Sequence, residues 1–90
     1  MPIVKFTSAL KRFFPALKDT RATGKTLQEI LSEIENNYPG VNTYLLDEQG
    51  CLRRHVNIFI DGTMITDRSK MSDSFSDNSE IYIMQALSGG

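Results

Sequence analysis

The sequence predicts an α+β fold in which one main helix packs across one face of a mixed sheet. One long segment has the apolar spacing of a helix, and segments near both ends of the chain alternate between apolar and polar residues as strands do. The chain has only 90 residues, and domains typically run from about 50 to 250 residues. A single domain with one core is therefore expected, and one helix on one sheet is the simplest way to bury it.

The helix is predicted from about residue 26 to residue 38. Its apolar residues recur at the i, i+3, i+4, i+7 and i+11 spacing of a helix face, and these residues are Leu27, Ile30, Leu31, Ile34 and Tyr38. Thr26 and Glu29 form a capping box, in which side-chain oxygens accept hydrogen bonds from N–H groups that the first turn leaves unpaired. Pro39-Gly40 ends the helix, since proline disfavours helical geometry at the residue before it.

Strands are predicted on both sides of this helix. The segments are 3–8, the return strand of a hairpin at 19–23, residues 55–60 with a turn at Asp61-Gly62 and a partner ending near Ile65, and 80–86. Segment 10–17 has no clear period, and 41–52 is predicted to be a loop with a turn at 47–50. The resulting order, ββαβββ, is the β-grasp arrangement. A ferredoxin-like fold would need a second amphipathic helix, and the polar segment 69–79 supplies none.

Charge and hydropathy exclude several classes of function. Ten basic residues stand against eleven acidic ones, so no positive field exists to neutralise nucleic-acid phosphates. The apolar stretches are far shorter than the ~20 residues that cross a bilayer, and the N-terminus has no basic segment before an apolar one. We expect a soluble, cytoplasmic chain with neither nucleic acid nor membrane among its partners.

The internal candidates for chemistry are weak. Cys51 is the only cysteine and His55 the only histidine, so no disulfide and no all-thiolate metal site can form, and an ordinary loop thiol is the favoured interpretation of Cys51. Gly24-Lys25-Thr26 resembles the end of a phosphate-binding loop, but an aspartate stands where that motif needs its first glycine. We expect that the chain binds no metal and no cofactor, and that it is not an enzyme that acts alone.

The C-terminus is the distinctive feature of the chain. We divide the chain into a β-grasp domain at 1–86 and a flexible tail at 87–90, which reads Leu87-Ser88-Gly89-Gly90. Two adjacent terminal glycines arise by chance in only about 0.5% of sequences, although a frayed end is the alternative explanation. Fully extended, the tail would reach roughly 14 Å, far enough to carry the Gly90 carboxylate into a partner's active site. That carboxylate would first need activation as a mixed anhydride, and another protein would have to supply it.

Three blocks of sequence carry a resemblance to a known family. They are the segment from Thr26 to Gly40, the segment from Leu52 through Val56-Asn57-Ile58 to Gly62, and Glu80-Ile81-Tyr82-Ile83 followed by Ala86 to Gly90. With these blocks the chain resembles the ubiquitin-like sulfur-carrier (MoaD/ThiS-like) family, which includes the small subunit of molybdopterin synthase, the thiamine carrier and the carrier of a cysteine-biosynthesis route. It looks closest to the cysteine-biosynthesis type, but Gln85 stands where a proline is common.

The resemblance implies a function for the tail. An E1-like adenylating enzyme would use ATP to activate Gly90, and sulfur transfer would then leave a C-terminal thiocarboxylate. The terminal Gly-Gly pair of the family corresponds directly to Gly89-Gly90 in this sequence. Sulfur would pass to a metabolite on a second biosynthetic enzyme, which in the cysteine branch would be a pyridoxal-phosphate-dependent synthase. These cofactors belong to the partners and not to this chain.

Two other functions and one docking surface complete the expectations. The activated Gly90 could instead acylate lysines of target proteins, which would make the chain a protein modifier. Alternatively, the chain could be a small subunit that inserts its tail into one enzyme, as in a molybdopterin-synthase-type complex. Arg53, Arg54 and Phe59 are candidates for the docking surface, because arginine and aromatic residues are enriched at interface hot spots. Ordinary solvated side chains are the alternative for the two arginines.

Overall fold

The structure is a computed structural model that describes residues 1–85. Within this range three helices and one five-stranded sheet form the molecule. In chain order the elements are β1 (Ile3–Phe6), α1 (Ser8–Phe13), β2 (Thr20–Arg21), α2 (Leu27–Asn37), α3 (Val41–Leu45), β3 (Val56–Ile60), β4 (Thr63–Met64) and β5 (Glu80–Gln85).

The sheet is mixed, as the sequence predicts. Its strands lie in the order β2-β1-β5-β3-β4. The central strand, β5, runs parallel to β1 and antiparallel to β3, while β2 and β4 pair antiparallel at the two edges. The strand that precedes the C-terminal residues is therefore the middle strand of the sheet, with a hydrogen-bonded neighbour on each side.

Helix α2 confirms the predicted helix almost to the residue. Thr26 is its N-cap, and the Thr26 hydroxyl accepts a hydrogen bond from the Glu29 N–H at 3.1 Å. The reciprocal half of the predicted capping box differs, because the Glu29 carboxylate accepts from the N–H of Lys25 at 2.7 Å. The helix ends at Asn37, with Tyr38 as its C-cap.

The apolar stripe of α2 packs on one face of the sheet, as predicted. The stripe and the inward-facing residues of β1, β3 and β5 belong to one buried cluster. Burying this much apolar surface is the main force that holds a domain of this size together. Its central members are Leu27, Ile30, Leu31 and Ile34 from the helix, and Val4, Phe6, Val56, Ile58, Ile81 and Ile83 from the sheet.

Helix α3 corrects the loop that the sequence predicts at 41–52, although the predicted turn at 47–50 is present. The helix has only five residues, too few for an apolar period to show. It is capped from the preceding helix, because the Glu35 carboxylate accepts the N–H groups of Gly40 and Asn42, each at 2.8 Å. These two hydrogen bonds hold the pKa of Glu35 below its ordinary value.

The remaining strands differ from the prediction mainly at their ends. Strand β1 stops at Phe6 because Ser8 already begins α1, a helix in the segment to which the sequence assigns no structure. The predicted return strand is β2, and the predicted hairpin turns at Asp61 and Gly62, whose φ angles of 51° and 86° suit a two-residue turn. The predicted last strand extends to 86, which lies outside the described residues. The observed order is βαβααβββ rather than ββαβββ.

Candidate functional site

The predicted working residues, Leu87, Ser88, Gly89 and Gly90, lie outside the described residues. The described residue nearest to them in the chain is Gln85, at the end of the central strand β5. We use the name tail root for Gln85 together with Thr7 and Tyr44, the two residues whose side chains form hydrogen bonds with it. The predicted boundary between domain and tail falls next to this root.

One strand and one side chain hold the backbone of Gln85. It pairs with Val56 at the start of β3, and its N–H donates to the hydroxyl oxygen of Thr7 at 3.4 Å. The Thr7 N–H in turn donates to the carbonyl of Ile83 at 3.2 Å. Thr7 is also the N-cap of α1, yet its side chain makes no capping hydrogen bond with that helix. Its hydroxyl is directed at the central strand instead.

The side chain of Gln85 lies on the inner face of the sheet. Residues two apart share a face of a strand, so Gln85 follows Ile81 and Ile83, both fully buried. Its amide nitrogen Nε2 lies 2.5 Å from the hydroxyl of Tyr44 in α3. Among the described residues its amide oxygen, which is also buried, meets no donor. The bond to Tyr44 is therefore the principal polar contact of this side chain.

An aromatic cluster surrounds the Tyr44 ring. Its centroid lies 5.0 Å from that of Phe13, 5.9 Å from that of Phe14 and 6.1 Å from that of His55, distances at which aromatic rings attract one another. Phe13 remains 58% exposed. The cluster therefore positions Tyr44 while presenting part of its apolar surface to solvent, beside the tail root.

The outer face of the sheet carries the second candidate surface. Phe59 of β3 stands opposite Tyr82 of β5 in the register, and both side chains are half-buried. They line a shallow cavity of about 220 Å³ together with Met84, Gly62 and Glu80. We use the name outer-face patch for Phe59, Tyr82 and Met84. Phe59 is thus one member of an apolar group whose other members the sequence analysis does not single out.

The two predicted docking arginines lie apart from Phe59. Arg53 is half-buried, and its Nε donates to the carbonyl of Thr43 at 3.2 Å. It lines a cavity with residues of α3 and of the turn at 47–50. Arg54 is exposed, in the turn that leads into β3. The structure therefore brings Arg54 next to His55 of the aromatic cluster, but it does not bring the arginines and Phe59 into one cavity.

Arg68 holds the turn before β3 in place. Its guanidinium donates to the side-chain oxygen of Asn57 at 2.7 Å, to the carbonyl of Arg53 at 2.6 Å and to the carbonyl of Val56 at 2.7 Å. This turn carries His55, so Arg68 supports the aromatic cluster from outside. No local pattern in the sequence reveals this role, because all three acceptors lie eleven or more residues away.

Three further observations concern metals, membranes and thiols. Residues 1–85 hold no group of three or more His, Cys, Asp or Glu side chains that could bind a metal ion. Within the same range no helix has the length and apolar character needed to cross a membrane. Cys51 is half-buried with a free thiol, and its backbone closes the turn that starts at Asp47, whose N–H donates to the Cys51 carbonyl at 2.8 Å.

The strand order, with α2 across one face of the sheet, defines a ubiquitin-like protein of the β-grasp class. CysO from Mycobacterium tuberculosis has the same fold, with a TM-score of 0.80 and 26% identity over 97% of this chain and 100% of that one. The chain belongs to the ThiS family, whose model matches residues 4–90.

Individual relatives agree with this assignment. The sulfur carrier protein CysO of M. tuberculosis is 31% identical over 75 residues, which span 81% of each chain. The structure of the Amycolatopsis orientalis BexX/CysO complex matches with a TM-score of 0.82 and 22% identity over the full length of both chains. Small archaeal modifier protein 1 from Methanosarcina acetivorans matches with a TM-score of 0.79 and 21% identity, over 99% of this chain and 95% of that one.

Proposed function

We propose that this chain is a sulfur carrier whose C-terminal Gly90 carboxylate is adenylated by a partner enzyme and then converted to a thiocarboxylate. The observation that carries the proposal is the ThiS-family match, which extends to residue 90 and so includes the Gly89-Gly90 pair. The relative of 31% identity is itself named a sulfur carrier protein. The chain would act as a co-substrate of other enzymes rather than as an enzyme.

The proposed chemistry explains why a partner with ATP is needed. A carboxylate is a poor electrophile, so its oxygen would first attack the α-phosphorus of ATP and displace pyrophosphate. A hydrosulfide equivalent would then add to the carbonyl carbon of this acyl-adenylate and expel AMP. The product is a thiocarboxylate, whose sulfur can bond to an electrophilic acceptor as a thioester. Water would then cleave the acyl–sulfur bond, leaving the sulfur on the acceptor and returning the carboxylate.

The proposed partners are an E1-like adenylating enzyme and a sulfur-accepting biosynthetic enzyme. In the cysteine branch, the second partner would be a pyridoxal-phosphate-dependent synthase. The A. orientalis structure gives one precedent for a partner, since in it CysO forms a complex with BexX. We propose that the outer-face patch is part of the docking surface, because Phe59, Tyr82 and Met84 form an apolar group. Met64, the register partner of Phe59, is 49% exposed and extends this group. The cytoplasm, where ATP is plentiful, is the proposed place of action.

A protein modifier is the second candidate function. The observation that favours it is the fold match to small archaeal modifier protein 1. Activation would be identical in both cases, and only the nucleophile would differ, since an amine in place of sulfur would give an amide. A modifier would therefore leave covalent adducts on other proteins, whereas a carrier would leave a free thiocarboxylate.

The test combines activation with mass measurement. The 90-residue chain, its host's adenylating enzyme and ATP are mixed, and exchange of labelled pyrophosphate into ATP is followed. Intact mass after addition of a sulfur donor is expected to rise by the difference between one sulfur and one oxygen atom. Protein isolated from the host without thiol reagents should contain the same species, and high-mass conjugates there would support the modifier instead.

The control is a chain with one residue added after Gly90. The addition moves the carboxylate by about 3.5 Å, and a displacement of about 1 Å can cost a hundredfold in rate. We expect activation to be lost while the melting temperature stays unchanged, because the added residue follows the tail. Equal activation of the extended chain would contradict the proposal. Gly89→Val, which adds a branched side chain to the tail, is expected to behave like the extension.

A further inference from the structure

The side chain of Gln85 is unusual for its position. It continues the inner-face row of Ile81 and Ile83, which are 0% exposed, yet it is polar. A polar group placed among apolar side chains costs free energy unless it forms hydrogen bonds. The Tyr44 hydroxyl, 2.5 Å from Nε2, supplies such a bond. Because a hydroxyl can donate or accept, the pair stays bonded in either orientation of the amide.

Tyr44 is well suited to act as a fixed point. Its ring packs against Phe13, Phe14 and His55. Its helix, α3, is tied to α2 by the Glu35 carboxylate and by the side-chain amide of Asn42, which donates to the carbonyl of Leu31 at 3.1 Å. The hydroxyl is therefore placed by contacts that do not involve Gln85.

Thr7 gives independent support through the backbone of Gln85. Threonine is favoured at helix N-caps because its hydroxyl can satisfy an N–H of the first turn. Here that hydroxyl accepts the backbone N–H of Gln85 instead. The side chain and the backbone of one residue are thus each held by a group from a different element of the fold.

We propose that Tyr44 is a positioning residue that, through its hydrogen bond to Gln85, fixes the orientation of the end of β5, two residues before the tail begins. This inference rests on the proposed function of Gly90. Only four residues separate Gln85 from Gly90, and each adds two soft backbone dihedrals. Holding the residue that precedes such a short segment narrows the region that the Gly90 carboxylate explores, and so raises the fraction of molecules ready to enter an active site.

The test is a double-mutant cycle on activation. Tyr44→Phe removes the hydroxyl and keeps the ring, while Gln85→Leu removes the amide and fits an apolar row. We expect Tyr44→Phe to raise the KM for the carrier in pyrophosphate exchange by roughly two- to tenfold, the size of a neutral hydrogen bond, with kcat unchanged. In the Gln85→Leu background the same change should have no further effect. Tyr38→Phe, at the C-cap of α2, is the matched control and should leave KM unchanged.

A second measurement makes the result independent of any partner. Amide hydrogen exchange of Gln85, followed by NMR in the full chain, should be faster in Tyr44→Phe by a similar factor and unchanged in Tyr38→Phe. Unchanged exchange, an unchanged KM, or a KM effect that persists in Gln85→Leu would each overturn the proposal. If the native chain were not activated at all, the proposed function would fail, and the exchange rate of Gln85 would still decide whether Tyr44 holds it.

Discussion

The α2 side of the sheet and the tail root adjoin the same core, but different forces hold them. On the α2 side, Leu27, Ile30 and Leu31 are at most 2% exposed and pack on inward-facing strand residues. At the tail root, one hydrogen bond joins Gln85 to Tyr44, which lies 41 positions earlier in the sequence. A second joins it to Thr7, which lies 78 positions earlier. One region depends on buried apolar area, and the other depends on directional bonds.

This difference separates stability from orientation. Apolar burial is non-directional and contributes in proportion to the area removed from water, so it keeps the domain folded without specifying fine geometry. A hydrogen bond contributes less free energy but fixes a distance and an angle. Substitutions on the α2 side are therefore expected to change stability, and substitutions at the root to change the use of the tail.

The largest effect is expected from Leu31→Ala. Leu31 is 2% exposed, and truncating a buried leucine costs about 2 to 5 kcal/mol of unfolding free energy. For a domain of this size that loss lowers the melting temperature by roughly 10 °C or more. Thermal unfolding followed by circular dichroism measures it. The KM of the remaining folded protein in pyrophosphate exchange should equal that of the native chain. A changed KM with little loss of stability would contradict the view that the α2 side sets stability and the tail root sets the use of the tail.

The same difference explains how far the sequence predicts the molecule. Helix α2, the inner faces of the long strands and the Asp61-Gly62 turn follow from spacing and turn chemistry, which are local. Helix α3 has too few residues to show a period, and Glu35 caps it from another element. The hydrogen bond between Tyr44 and Gln85 joins two residues 41 positions apart, and no sequence motif or periodicity links them. Long-range polar contacts of this kind are set by the finished fold, so the sequence alone does not reveal them.

The second effect concerns Arg68, which braces the turn beside the aromatic cluster. Arg68→Ala leaves the carbonyls of Arg53 and Val56 without this donor, and such a loss typically costs about 1 to 3 kcal/mol. We expect a smaller fall in melting temperature than for Leu31→Ala, together with altered NMR shifts of His55. An effect on the shifts of α2 equal to that on His55 would show that the two regions are not separate.

A smaller effect is expected from Thr7→Val, which keeps the shape of the side chain and removes its hydroxyl. The bond to the Gln85 N–H is long, at 3.4 Å, so the expected loss of stability is under about 1 kcal/mol. Amide exchange of Gln85 should nevertheless become faster. Thr7→Ser, which retains the hydroxyl, is the matched control and should restore slow exchange. Equal exchange in the two variants would contradict the role of Thr7 in the tail root.

The smallest effect is a dependence on acid in the loop before β5, where Asp67 lies. The Asp67 carboxylate accepts hydrogen bonds from the Ser72 hydroxyl at 2.5 Å and from the Lys70 N–H at 2.9 Å. These bonds favour the ionised form and lower the pKa of Asp67 from 3.8 to about 2. The adjacent residue is Arg68, so the loop that Asp67 organises also places the guanidinium that braces the turn before β3.

A lowered pKa fixes the sign of this dependence. The folded state binds its proton less readily than the unfolded chain, so the contribution of Asp67 is complete above about pH 4 and is lost as the pH falls toward 2. Asp67→Asn lacks the charge at every pH. We therefore expect the difference in melting temperature between the native chain and Asp67→Asn to be constant above pH 4 and to shrink toward pH 2. NMR shifts of Lys70 and Ser72, whose N–H and hydroxyl groups donate to Asp67, should change over the same pH range. A difference that stays constant down to pH 2 would mean that the charge of Asp67 does not organise the loop, and that Arg68 is placed by its own three acceptors alone.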